Sequence, residues 1–314
     1  FKYLQWIVHK QWQKAKESAQ INGIKLFGDL PFMVNQESAD VWSRQIEFDL
    51  TREIGAPPDA FSKTGQKWGL PAPDWAEMEK NNFEWWSMRI KKAACFYDIF
   101  RIDHMVGFFR TWIIPNDPRL APDFDIKTAE YQKVRGKKFL QTAVSASPAL
   151  PVAEDLGVIP PYVRETLREL NVPGYKVLRW EKESGEYIDT EKYLPVSLAT
   201  TSTHDNEPLA QWWKIISAGE KRLFWKMISG RQETPPPFSK ARSRIIKKLL
   251  ESSSCLAVLP IQDIFGLKDR INIPNTVGSH NWSYRFAAPV ENFLTKHAET
   301  IENFRKTVEE AGRG

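Results

Sequence analysis

Phe100-Arg101-Ile102-Asp103-His104 reads as a short buried strand that delivers an arginine, an aspartate and a histidine to its own end. Two further stretches repeat that plan: Pro151-Val152-Ala153-Glu154-Asp155-Leu156-Gly157, then Ala199-Thr200-Thr201-Ser202-Thr203-His204-Asp205-Asn206. Each opens on small or apolar residues and closes on carboxylates. The carboxylates recur at intervals of roughly fifty residues, the length of one or two β/α units in a parallel barrel, whose chemistry gathers at the C-terminal ends of its strands. Three acids at three strand ends can converge on one substrate atom.

Outward from these stretches the same alternation continues. Phe1, Leu4, Val8, Trp12, Ala15 and Ala19 fall at helical spacing, and Asn22-Gly23 supplies a stop. Residues 24–34 follow as a strand, and a helix from Glu84-Trp85-Trp86 runs into the 98–103 strand. Further strands are expected at 150–155, 175–180, 198–203 and 255–261, with a helix opening at Pro160-Pro161. That makes about six strands where a closed barrel needs eight. Residues 55–75, rich in Gly and Pro, read as a long lid loop in which Phe61, Gln66 and Trp68 offer a stacking face. Residues 115–138 read as a surface excursion, and 288–312 as one closing helix. With no repeats or low-complexity linkers, residues 1–314 read as one partial barrel domain.

Composition narrows the function classes. At 314 residues the chain can bury a large core, and its 42% hydrophobic and 26% charged content is ordinary for a globular protein. The net charge of +5 is spread out, which argues against a nucleic-acid partner. No apolar run is long enough to span a bilayer, so no membrane partner is expected. Cys95 and Cys255 lack ligand spacing and read as buried thiols of a reducing compartment, so neither metal nor disulfide is expected. The 13 Trp suit either a core or flat sugar faces.

Three acids are what a retaining glycosyl-transfer site needs: one attacks the anomeric carbon, and one donates a proton to the leaving oxygen. A third holds hydroxyls and steadies the oxocarbenium-like transition state. Arg101, two positions from Asp103 on the same strand face, favours the ionised carboxylate. Glu154 has the reach of an acid/base whose pKa must be raised. Asp205 beside His204 makes a hydroxyl-binding pair. The plainer alternatives are a buried Arg101–Asp103 salt bridge and a His204-Asp205 cap on the next helix.

With these residues in place, the chain closely resembles the amylomaltase, or 4-α-glucanotransferase (disproportionating enzyme), family of the α-amylase clan. The resemblance rests on Gly28-Asp29-Leu30-Pro31, on Pro57-Pro58-Asp59 through Gly65-Gln66-Lys67-Trp68-Gly69, and on Arg101-Ile102-Asp103-His104. It continues through Ala153-Glu154-Asp155-Leu156-Gly157, Thr203-His204-Asp205-Asn206, Gln262-Asp263, and Arg270-Ile271-Asn272 with Asn281-Trp282. The fold it implies is a (β/α)8 TIM barrel of the α-amylase type, N-terminally truncated. By similarity Asp103 is the nucleophile, Glu154 the acid/base and Asp205 the transition-state stabiliser. Asp29, Asp59, Phe61, Gln66, Trp68, Arg101, His104, His204 and Asn272 are the residues it places at substrate. The implied reaction moves a segment of α-1,4-glucan to the 4-hydroxyl of another glucan or glucose, without cofactor, in the cytoplasm or a plastid stroma. The alternatives are a retaining α-glucan hydrolase and an inactive glucan-binding fragment.

Three departures from the family pattern stand out. Leu70-Pro71-Ala72-Pro73 replaces Asn-Pro and a following Tyr, Pro274-Asn275-Thr276 replaces Pro-Gly-Thr, and Arg179-Trp180 stands where Gln-Phe is usual. The chain also opens in mid-helix pattern at Phe1, without the family's first two barrel strands or their sugar-holding Tyr, and so reads as a fragment or truncated product.

Overall fold

The computed structural model describes residues 1–58, 63–274 and 276–313. The chain forms two compact units, Phe1–Gly174 and Tyr175–Gly314. All six expected parallel strands are present, each shorter than its apolar run. The first unit holds β1 (Phe27–Leu30), β2 (Ile99–Ile102) and β3 (Leu150–Ala153). Their register sets Asp29 opposite Arg101 and Arg101 opposite Val152. Along β2, Phe100 and Ile102 are fully buried, while Arg101 faces the other way toward the site. Gly174 opens β4 (Gly174–Val177) and pairs with Ala153. The second unit carries the rest of β4, then β5 (Ser197–Thr200) and β6 (Leu256–Val258), the last two parallel from Leu198↔Leu256 onward.

Each unit packs helices on its strands through apolar stripes at helical spacing. In the first, Glu84–Phe96 buries Trp85, Trp86, Ile90 and Ala93, and Ala129–Ser145 buries Phe139, Leu140 and Ala143. The rings of Phe108 and Phe139 stack at 3.7 Å, and Trp86 meets Phe108 edge-on at 4.7 Å. In the second, Trp212, Trp213, Phe224, Trp225 and Leu249 form the core. Six of the 13 Trp are buried in these two cores, so nearly half of the tryptophan serves packing.

The helix Ala129–Ser145 approaches Phe109 at Gly136, where a methyl group would sit 2.2 Å from the ring. Gly136→Ala is therefore expected to destabilise the first unit by about 1–3 kcal/mol, because neither ring nor helix has room to give. Urea unfolding of the two proteins checks this, and an unchanged midpoint would contradict it.

Several expectations need correction. The lid region 55–75 is largely not a loop: Phe48–Ala56 and Gln66–Pro73 pair as antiparallel strands. Pro71 and Pro73 argued against a strand, but Gln66–Pro73 is the terminal strand of its sheet, where a missing N–H is tolerated. The excursion at 115–138 is also built. Trp112–Pro115 and Asp123–Phe124 extend that sheet, and the long helix starts at Ala129. The closing helix is two helices, Val290–Lys296 and Ala298–Glu310, interrupted at His297. Cys95 and Cys255 are exposed, not buried. Cys95 lies two residues past buried Ala93, about 200° around the helix and hence on its outer face. The N-terminal helix Lys2–Ile21 ends at Asn22 as expected but has no buried residue. No helix among the described residues is long and apolar enough to cross a membrane.

Candidate active site

The short strands of the first unit end where their side chains meet. Arg101 is the hub: Nη1 donates to both oxygens of Asp29 at 2.9 and 3.0 Å, and Nη2 contacts Asp103 Oδ1 at 2.6 Å. The same Nη2 lies 3.9 Å from Glu154 Oε2. These two contacts bound the separation of Asp103 Oδ1 and Glu154 Oε2 at about 6.5 Å. A retaining pair lies about 5–5.5 Å apart and fits inside that bound, whereas inverting pairs start where it ends.

Backbone groups complete the cluster. Asp103 follows β2 directly, and its N–H donates to Leu30 O at 3.1 Å. The next residue, His104, sits in the left-handed region at φ 48°, a conformation that costs a non-glycine residue free energy and collects at functional sites. That turn aims the His104 N–H at Glu154 Oε2, 2.9 Å away, while Leu156 N–H donates to Oε1 at 2.9 Å. Phe32 N–H points at Asp103 Oδ2 at 3.4 Å.

Electrostatics separate the two acids. Burial pushes the Glu154 carboxyl up to about 7; Arg101 opposes the rise, Asp103 adds to it, and the two N–H donors oppose it. Asp103, with its side chain 35% exposed and a guanidinium in contact, sits in a wetter and more cationic setting. Burial holds the His104 imidazole down to about 4, with Asp103 opposing and Arg101 reinforcing, so its ring is neutral at pH 7. That ring meets Trp68 edge-on at 4.8 Å and Phe32 at 5.2 Å. Trp68 Nε1 donates to Gln66 Oε1 at 3.1 Å. Asp29, Gln66, Trp68, Arg101, Asp103, His104 and Glu154 thus all belong to one unit. Asp59 and Phe61 lie outside the described residues.

The second unit gathers its own set. Asn272 Nδ2 donates to Asp205 Oδ1 at 2.7 Å, and His204 Nε2 lies 3.4 Å from Oδ2. Asp205 does not cap the following helix Leu209–Ile215, whose N-terminal neighbour Pro208 offers no side-chain cap. Arg270 Nη2 donates to Asp205 O at 2.6 Å, and its Nε donates to Asn272 O at 2.9 Å. Beneath the turn, buried Arg179 grips Glu207 through Oε1 at 2.9 Å and O at 3.0 Å. The exposed Trp282 ring lies 5.1 Å from His204.

Sequence reasoning missed the backbone donors on Glu154 and Asp103, which no residue type signals. It quoted Arg270 without giving it a role, and overlooked Glu207. Among the described residues, no group of three or more His, Cys, Asp or Glu side chains is arranged to hold a metal ion.

Comparison with known proteins bears on the whole chain. The family model described as 4-alpha-glucanotransferase matches residues 1–291. A 4-alpha-glucanotransferase of Chlamydia pneumoniae is 35% identical over 311 residues, covering 93% of this chain and 57% of that protein. The chloroplastic/amyloplastic 4-alpha-glucanotransferase of Solanum tuberosum is 35% identical over 296 residues, covering 90% of this chain and 49% of that protein. Among solved structures, the amylomaltase of Streptococcus agalactiae in complex with acarbose superposes with a TM-score of 0.82 at 27% identity. That match covers 99% of this chain and 62% of the other. The chain therefore spans about half the length of these relatives.

Proposed function

The chain belongs to the 4-alpha-glucanotransferase family, and on that premise we propose that it transfers a segment of α-1,4-glucan to the 4-hydroxyl of another glucan or of glucose. The reading is carried by one observation: Arg101 holds Asp103 and reaches Glu154, whose carboxyl is pushed up by burial so that it can carry a proton near neutral pH. In the first step an Asp103 oxygen attacks the anomeric carbon, the bond to the leaving 4-oxygen breaks, and Glu154 gives that oxygen its proton. In the second, the acceptor 4-hydroxyl loses its proton to Glu154 and attacks the same carbon, and Asp103 leaves as carboxylate. Two inversions give net retention. For Asp205, which Asn272 holds, the family resemblance alone supports the stabilising role for the developing positive charge. Asp29, His104 and His204 are assigned to donor hydroxyls, and Gln66 and Trp68 to the acceptor. For Asp59 and Phe61 the family resemblance alone supports an acceptor role.

Transfer outruns hydrolysis only where the acceptor is held in attack geometry and water is kept out. Trp68 is the residue proposed to do this, since its ring stands edge-on against His104. Trp68→Ala should raise the ratio of hydrolysis to transfer by about tenfold, the effect of one lost positioning contact. Products of maltotriose, separated by length, check it; an unchanged ratio at a lower total rate would remove the role.

A pH dependence follows from Glu154. The free enzyme must carry the proton that the first step donates, so kcat/KM should fall above pH about 7, tenfold per unit. A profile flat to pH 9 would contradict the acid assignment.

The direct test of the reading is maltotriose itself. Glucose together with maltopentaose and longer chains establishes transfer, whereas glucose and maltose alone mark a hydrolase. The setting proposed is the cytoplasm or, as the name of the potato relative suggests, a plastid.

A further inference from the structure

Arg89 lies on the helix Glu84–Phe96, with its guanidinium carbon 4.6 Å from the ring centre of Trp85 and 4.3 Å from that of Trp86. From this aromatic seat Nη2 donates to Pro31 O at 2.6 Å, and Nη1 reaches Phe32 O at 3.5 Å. The Pro31 carbonyl and the Phe32 N–H are the two ends of one planar trans peptide, so they point in opposite directions. The N–H end is the one aimed at Asp103 Oδ2. A cation, one peptide group and the candidate nucleophile therefore stand in series.

We propose that Arg89 is a positioning residue for Asp103, acting through the Pro31–Phe32 peptide. It fixes the plane of that peptide and polarises it, so that the N–H is presented to the carboxylate as a strengthened donor. The inference rests on the reading of Asp103 as nucleophile. Hydrogen bonds in series strengthen one another by about 10–30% each, and a bond to an ionised acceptor gains most. At 3.4 Å the last link is long in the resting state. Its value lies in the second step, where Asp103 recovers its charge as it leaves carbon, and a donor that tightens at that moment lowers the barrier.

Other charges face the same groups. Asp103 meets Arg101 directly, shares it with Asp29 and Glu154, and its charge acts on the His104 imidazole. Arg89 faces Asp40, which also accepts from Trp85 Nε1 at 2.8 Å.

The test follows the carboxylate directly. With ¹³C-labelled aspartate, the Asp103 carboxyl resonance is titrated in the unaltered chain, in Arg89→Met and in Arg89→Lys. Arg89→Met keeps an unbranched stem on the two tryptophans and removes the charge; Arg89→Lys keeps the charge with a different donor. The midpoint should move up by about half a unit to one unit in Arg89→Met and by less in Arg89→Lys, as expected for a lost charged-state donor. A midpoint within about 0.2 unit of the unaltered chain in Arg89→Met overturns the proposal.

A second readout needs no variant. The Phe32 amide and Arg89 guanidinium resonances should shift with the midpoint of Asp103, and a flat Arg89 resonance through that titration overturns the relay. Where the chain turns over, Arg89→Met should lower kcat about tenfold and the donor KM with it, leaving kcat/KM within about twofold, and glycosyl-enzyme should accumulate. Neither titration depends on turnover. A chain that shows both shifts but makes no transfer products from maltotriose would therefore sink the proposed function and leave the relay standing.

Discussion

Asp103→Asn is expected to retain less than about one part in 10⁵ of the turnover on maltotriose, the scale of loss seen when a covalent nucleophile is removed. The amide is close in shape to the carboxylate and can still accept from Arg101 through its oxygen, so the fold should survive. What it loses is the charge that attacks the anomeric carbon and the stability with which that group later leaves. Arg101 keeps Asp29 as a charged partner, so no buried cation is stranded. Initial rates beside thermal unfolding separate the two effects. Intact mass guards against Asn reverting to Asp. Activity above about 1% with an unshifted unfolding curve would take the nucleophile role from Asp103.

The second large effect belongs to Glu154→Gln. With maltotriose as donor the rate should drop by about 10³-fold, within the usual worth of a general acid–base. A donor whose leaving group needs no proton, such as α-glucosyl fluoride, should recover most of the first step. The second step should then stall, because the amide cannot take a proton from the acceptor hydroxyl. Azide, which attacks without losing a proton, should restore turnover and give the α-glucosyl azide. The fall in kcat/KM above pH about 7 should also vanish with the carboxyl group. Equal losses on both donors, with no rescue by azide, would mean that Glu154 acts by holding its neighbours and not by moving a proton.

Much of this site could be read from residue order, for a physical reason. A parallel strand buried on one face carries a period-two signature and ends at a fixed place, so Arg101 and Asp103 had to share a side, and their 2.6 Å contact follows. The strand positions were legible for the same reason, although their lengths were not. Apolar runs continue past the last ladder bond into turns such as Leu178–Trp180, beyond the end of β4 at Val177. What stayed hidden depends on backbone direction. The left-handed turn at His104, which points an N–H at Glu154, has no decisive residue signature, since only a few per cent of non-glycine residues take that conformation. Arg89 was invisible because its partners are carbonyls. The hairpin from Phe48 to Pro73 was misread because propensity penalises proline in strands without knowing which strand will lie at the edge.

That edge has a consequence beyond the hairpin itself. A terminal strand normally offers its free N–H and C=O row to any extended peptide that drifts alongside, and a chain in a crowded cell meets many. Here the Pro71–Pro73 end of the strand is buried and its two prolines carry no N–H to offer, while the partner strand shifts register between Asp49 and Gly55. Two neighbouring molecules are thereby denied a straight seam along which to zip together.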